Sequence, residues 1–137
     1  MASLIYNSFH EDLAKGAVDM DTDTFKMLLV TSSYTPDKDT HEHFDDVTNE
    51  VSGTGYTAGG ETVTGTLTLS TANDRLTLEF ASTNWTSATI TARGAIYYSS
   101  TGTASTSTLI AFNDFGSDVA VTAGTLALAA STVTLQN

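Results

Sequence analysis

The 137-residue sequence contains no cysteine, a single proline and few basic residues. Without cysteine, no disulfide, zinc–thiolate site or cysteine nucleophile can form, so the chain must fold by burial alone or with help from neighbouring subunits. Five Lys and Arg stand against 16 Asp and Glu, which gives a formal net charge of −11. Such a surface repels phosphates, and we therefore expect neither direct nucleic-acid binding nor docking on anionic membranes.

Long apolar runs are also missing. Residues 1–6 contain no basic stretch and no extended apolar segment, so we expect no signal peptide. No apolar run in the sequence approaches the length that spans a bilayer. These features predict a protein made in a cytosol and used there, or assembled there and released in a particle.

The main feature of the sequence is a two-residue alternation of apolar residues with polar ones, most often threonine. The pattern runs from residue 61 to the end, most clearly at 62–69 and again at 88–92. Successive side chains of a strand point to opposite faces, so the pattern predicts a sheet with one dry and one hydroxyl-lined face. Hydroxyl groups without partnered acids or bases indicate a surface that packs against other molecules and has no catalytic role.

The remaining elements predict an all-β fold, an antiparallel β-sandwich (jelly-roll-like) or a small barrel with a short N-terminal helix. The helix is predicted at 9–15, started by a capping box of Ser8 and Glu11 and ended by Gly16. A central strand is predicted at 25–31 and a short edge strand at 47–51. Further strands are predicted at 63–69, 75–80, 88–98, 109–115, 119–121 and 126–135, the last with a bulge near Ala130. We predict a single domain over 1–137, in which 1–20 form an arm that contacts neighbours.

Two acidic stretches imitate metal sites. Asp19, Asp21 and Asp23 have the spacing that opens a calcium loop, but Thr24 and Val30 occupy the positions that need glycine and glutamate. We interpret this stretch as a solvated lead-in to a strand.

The second stretch contains His41, His43, Asp45 and Asp46, and it lacks an obvious fourth ligand for zinc. Loop solvation or a contact with a neighbouring subunit explains it better. We expect no bound metal.

No other motif predicts catalysis or cofactor binding. Gly53, Gly55 and Ala58 match the spacing of a dinucleotide-binding loop, but a strand pattern follows where that motif needs a helix. With three histidines and no partnered nucleophile, we expect no enzyme activity and no cofactor. Trp85, Tyr97 and Tyr98 suit either a sugar-stacking platform or the core, and we favour the core for Trp85.

Several segments, in order and with similar spacing, resemble a family of small virion structural proteins of tailed bacteriophages. The segments are 21–30, 34–41, 46–51, 53–60, Trp85, 91–98 and 109–116. In contrast to the Asn84-Trp85-Thr86-Ser87 stretch of this chain, relatives often look like a tryptophan followed by proline. The resemblance implies a non-enzymatic particle component, above all a capsid cement or decoration protein on the outer head surface, made in the bacterial cytoplasm.

The resemblance also implies partners. They are the major capsid protein and the chain itself, as a homo-oligomer that we expect to be a trimer. The alternative is a tail-fibre or tail-tip adhesion module that binds host glycans. The segments that the sandwich explains least, 1–20 and 32–46, are predicted to reach these partners. The predicted interface residues are Leu4, Ile5, Tyr6, Phe9, Tyr34, Pro36, Asp37, His41, His43, Phe44 and Tyr56.

Overall fold

A computed structural model describes residues 2–136 of the chain. The elements in this part are, in chain order, β1 (Leu4–Ile5), α1 (Asn7–Lys15), β2 (Phe25–Val30), a 3-10 turn (Phe44–Asp46), β3 (Glu61–Val63), β4 (Gly65–Ser70), β5 (Arg75–Phe80), β6 (Thr83–Ser99), a second 3-10 turn (Ala104–Thr106), β7 (Leu109–Leu128) and β8 (Ser131–Gln136).

The strands form two antiparallel sheets. The larger sheet has the order β1-β7-β6-β2-β3, and the smaller has the order β4-β5-β8. The chain passes from one sheet to the other at residue 64, at 81–82 and at 129–130. The all-β prediction is confirmed, and the arrangement is a sandwich with a short N-terminal helix rather than a barrel.

Several predicted strand bounds are wrong. Strand β6 begins at Thr83 and not at residue 88, and the predicted strands 109–115 and 119–121 are parts of one strand, β7. Two further errors have a common reason. The stretch 63–69 is divided between β3 and β4, and the stretch 126–135 between β7 and β8, because the chain changes sheets within each. The phase shift near Ala130 is therefore a sheet crossing and not a bulge. The edge strand at 47–51 is absent, since only Glu50 makes an isolated bridge, to Val30.

The helix begins two residues before its predicted start. Tyr6 is the N-cap, without a side-chain cap bond, so the predicted capping box is wrong. Ser8 Oγ instead donates to the Leu109 carbonyl over 3.3 Å, and Glu11 pairs with Lys15. Gly16 ends the helix at φ 80°, as predicted, because glycine adopts this left-handed conformation without strain.

The main core lies between the two sheets. Met27, Leu29 and Tyr97 of the large sheet face Leu78 and Phe80 of the small sheet, and all five side chains are buried. The rings of Phe80 and Tyr97 stack at a centroid distance of 4.4 Å. Trp85 is also buried here, which confirms its predicted place in the core.

A second apolar cluster covers the other face of the large sheet. Leu28, Ile96 and Phe112 project from this face, and Tyr34 and Phe44 of the loop between β2 and β3 pack over them. Segment 32–46, predicted to reach neighbours, therefore covers the chain's own sheet. Its aromatic side chains bury the apolar face that the small sheet leaves uncovered.

The small sheet has the predicted dry and wet faces. Thr68, Thr77 and Thr134 form one cross-strand row, and the next row, Leu67, Leu78 and Val133, faces the core. Among residues 2–136, no helix has the length and apolarity that a membrane crossing requires.

Candidate interaction surface

The first acidic stretch is a capped turn. Asp19 Oδ1 accepts the backbone N–H groups of Asp21 and Thr22, at 2.9 and 3.3 Å. Asp23 Oδ2 accepts the Asp19 N–H at 3.0 Å and the Ser99 hydroxyl at 2.7 Å. These carboxylates thus stabilise backbone donors, which is the ordinary use of aspartate in a turn.

The same turn occurs again at 37–41. Asp37 Oδ1 accepts from the N–H groups of Asp39 and Thr40 at 2.9 and 3.3 Å, and His41 Nδ1 accepts from the Asp37 N–H at 3.3 Å. Tyr34 Oη lies 2.9 Å from both His41 Nδ1 and Tyr6 Oη, so this turn connects to the buried tyrosines. The bonds from backbone N–H groups hold the pKa of Asp19 and of Asp37 below the usual range.

The histidine cluster also caps the backbone. Ligand atoms of His43, Asp45 and Asp46 lie within 4.8 Å of one another, but Asp46 Oδ2 accepts the N–H groups of Glu42 and His43 at 2.9 and 3.0 Å. These bonds lower the pKa of Asp46. The arrangement explains the cluster as the start of a 3-10 turn.

The glycine-rich loop at 53–60 is a structural loop that leads into β3. Glu50 accepts the Tyr56 hydroxyl at 2.7 Å and the Gly59 N–H at 2.6 Å, and the Tyr56 oxygen in turn accepts the Leu29 N–H at 3.0 Å. Gly60 has a positive φ and lies against the backbone of Met27. Because a strand follows the loop, no helix N-terminus is present there to hold a pyrophosphate.

The three aromatic residues considered for sugar stacking lie inside the protein. Trp85 and Tyr97 are each 1% exposed and Tyr98 is 4% exposed. Their ring faces are therefore not available as a platform.

The predicted interface residues fall into three groups. Asp37 is exposed, and Tyr6, Phe9 and Tyr34 are fully buried in the chain's own core. The side chains of these three residues offer no surface to a partner, because Phe9 packs into the main core and Tyr6 and Tyr34 into the second apolar cluster. The half-buried remainder is Leu4, Ile5, Pro36, His41, His43, Phe44 and Tyr56.

The surface that the sequence did not predict is the free edge of β8. Strand β8 pairs with β5 on one side and with no other strand among residues 2–136. Its first three residues line a groove of about 580 Å³, and its last three line another of about 630 Å³. Apolar side chains in the first groove come from both sheets. The second contains Leu69, Leu76 and Leu135, and also the ionisable residues His10, Asp74 and Arg75. Leu69 is 69% exposed, although it lies on the core-facing side of its sheet.

The two edges of the small sheet are uncharged. Neither β4 nor β8 contains an ionisable residue, a proline or a bulge. Proteins usually protect edge strands with such features, because unpaired N–H and C=O groups recruit other strands. The outer edge of β7, in contrast, contains Asp114 and Asp118, with Gly116 at positive φ between them, in a register shift against β6.

Comparison of the chain with protein-family models, with curated proteins and with solved structures found no match.

Proposed function

We propose that the protein is a non-enzymatic structural component of a tailed-phage particle, a cement protein on the outer surface of the capsid. In this role it bridges subunits of the major capsid protein and contacts further copies of itself, in a trimer. The resemblance to small virion proteins is the basis for proposing that it belongs to a phage particle. The observation that carries the role is the uncharged β8 edge beside the first groove, since this surface is suited to binding another chain.

The composition of the site supports a role in binding. The first β8 groove is lined by hydroxyl, amide and apolar side chains and contains no ionisable residue except the buried phenol of Tyr97. A cement protein needs contact area, on the order of 800 Å² per partner, and no reactive group. The net charge of −11 favours a capsid surface that is neutral or positive where the protein sits.

The adhesion alternative has lost the observation that suggested it. It combined an exposed Thr/Ser surface with Trp85, Tyr97 and Tyr98 as stacking residues, and these three aromatic side chains are buried. The hydroxyl surface alone does not single out a glycan. We therefore do not propose glycan binding.

The proposal predicts saturable binding to heads. Recombinant protein added to purified heads that lack it should co-sediment with them at a fixed ratio to the major capsid protein. It should also raise the temperature at which the heads release DNA, because each bound copy adds interface area across capsid subunits. Light scattering on the free protein tests the trimer separately.

Tails purified from the same particles are the control for this experiment. Binding to tails with none to heads would contradict a cement role. Binding to heads that leaves their thermal resistance unchanged would reduce the role to decoration.

A further inference from the structure

We infer that the free edge of β8 is a strand-addition site, which accepts an extended, uncharged segment with alternating apolar and polar side chains. The identification of this segment as part of the capsid protein rests on the proposed function. The site itself depends on the backbone of β8, the groove beside its first three residues and the absence of charge from the strand.

The outer edge of β8 has unpaired backbone groups, because the strand pairs only with β5 among residues 2–136. In an antiparallel edge strand, alternate residues direct their N–H and C=O groups away from the sheet. The six residues of β8 extend for about 20 Å at the usual rise per residue, which is sufficient to pair with five or six residues of another chain. Another extended backbone pairs with this whole row of donors and acceptors in place of water, which defines the partner as a strand.

The first groove provides an apolar surface next to the start of β8. Its walls include Leu4 and Ile5 of β1 and Ala111 of β7, and Phe80 and Val133 of the small sheet lie across from them. The Tyr97 hydroxyl donates to Ser131 Oγ at 2.8 Å, and Asn113 Nδ2 donates to the same oxygen at 3.4 Å. These bonds fix the start of β8 to β6 and β7. The groove thus offers an apolar wall to every second side chain of an added strand.

The geometry favours a single strand over a second copy of the folded domain. The large sheet has five strands and the small one three, and β1 lies beyond β7 on the side where the groove opens. A second small sheet joined to β8 would also require room for its own five-stranded sheet next to β1 and β7. An extended segment occupies only the groove.

The β8 strand differs from the chain as a whole in its lack of charge. β8 contains no ionisable residue, whereas the chain as a whole has 16 acids. A charged side chain placed against the apolar wall would lose hydration without a partner. Along the first groove, the site therefore selects an uncharged segment. Acidic and basic side chains line the second groove, where His10, Asp74 and Arg75 lie.

Two lysine variants test the inference as a matched pair. Thr134 of β8 and Thr68 of β4 are exposed members of the same cross-strand row, at opposite edges of the small sheet. Thr134→Lys places a charge at the proposed site, and Thr68→Lys places the same charge at the other edge. Thr132→Lys and Thr66→Lys form a second pair, in the row that has Glu79 of β5 between them.

The probe is a set of immobilised ten-residue peptides. One group alternates Val or Leu with Thr or Ser, a second has the same composition in scrambled order, and a third has a central Glu. The wild-type protein should bind the alternating group most strongly. Thr134→Lys should weaken that binding about tenfold or more, whereas Thr68→Lys should leave it unchanged, because a charged edge residue opposes strand pairing.

Equal effects of the two lysine variants would overturn the inference, as would equal binding of all three peptide groups or no peptide binding. Thermal unfolding of each variant shows whether it is folded, and the second pair replaces the first if Thr134→Lys is not. Because no capsid is present, this result is independent of head binding. If the protein binds the peptides but does not bind heads, the cement proposal is contradicted and the strand-addition site is not.

Discussion

Raising the pH from about 9 to about 12 is expected to unfold the protein in one cooperative step, with release of its tyrosine protons. The sequence has five tyrosines, and burial is the largest cause that raises the pKa of every one of them. For Tyr98 the raised pKa is about 12. Four of the five are buried and Tyr56 is half-buried, whereas tyrosine is normally only partly inside.

The direction of the effect follows from proton binding. Above about pH 10 an unfolded tyrosine loses its proton, whereas the buried phenols of the folded state keep theirs. The stabilisation is therefore complete below about pH 10 and is lost as the pH rises through the folded-state pKa values. A difference of two pKa units, as for Tyr98, corresponds to about 2.7 kcal/mol.

Two spectroscopic signals measured together check this prediction. Tyrosinate absorbance at 295 nm and the near-ultraviolet circular dichroism should change at the same pH. Absorbance that rises gradually near pH 10 while the dichroism stays native would show that the phenols are accessible, and would contradict the packing of the 32–46 loop over the large sheet.

Gly60→Ala is expected to destabilise the protein by about 4 kcal/mol or more, among the largest effects of a single substitution. Gly60 has φ 77°, and an added Cβ would lie 1.8 Å from the Met27 carbonyl oxygen and 2.7 Å from the Leu28 Cα. Both atoms belong to the backbone of a buried strand, so neither can move without breaking the β2 pairing.

Gly102→Ala is the matched control. Gly102 has φ 86°, but nothing lies within 4 Å of an added Cβ. Gly102→Ala should therefore lower the free energy of unfolding by only about 1–2 kcal/mol, the cost of placing alanine in a left-handed conformation. Urea unfolding of both variants gives the comparison, and similar losses for the two would contradict the close approach of the glycine-rich loop to β2.

The parts of the fold that the sequence predicts well are those with a local cause. Strand β5 has its predicted bounds of Arg75–Phe80, because the alternation there is bounded by a turn at one end and a sheet crossing at the other. Gly16 ends the helix through its own backbone conformation. In each case neighbouring residues decide the outcome.

The candidate site could not be predicted because it depends on which strands pair. The alternation of β8 is the same whether a strand lies in the middle of a sheet or at its edge, and only the β4-β5-β8 order makes it an edge. The burial of Tyr34, a predicted interface residue, has a similar cause. Tyr34 and Phe44 lie in a polar segment without periodicity, and aromatic residues in such a segment were the available signal that it packs inward.

Hydrogen–deuterium exchange on the protein, free and bound to heads, tests the central claim most directly. The account predicts that binding slows exchange in Ser131–Gln136, because the outward N–H groups of β8 acquire acceptors from an added strand. Exchange in β4, the other uncharged edge, should change less. Protection confined to the exposed face of α1 or to the 32–46 loop, with β8 unchanged, would contradict the account.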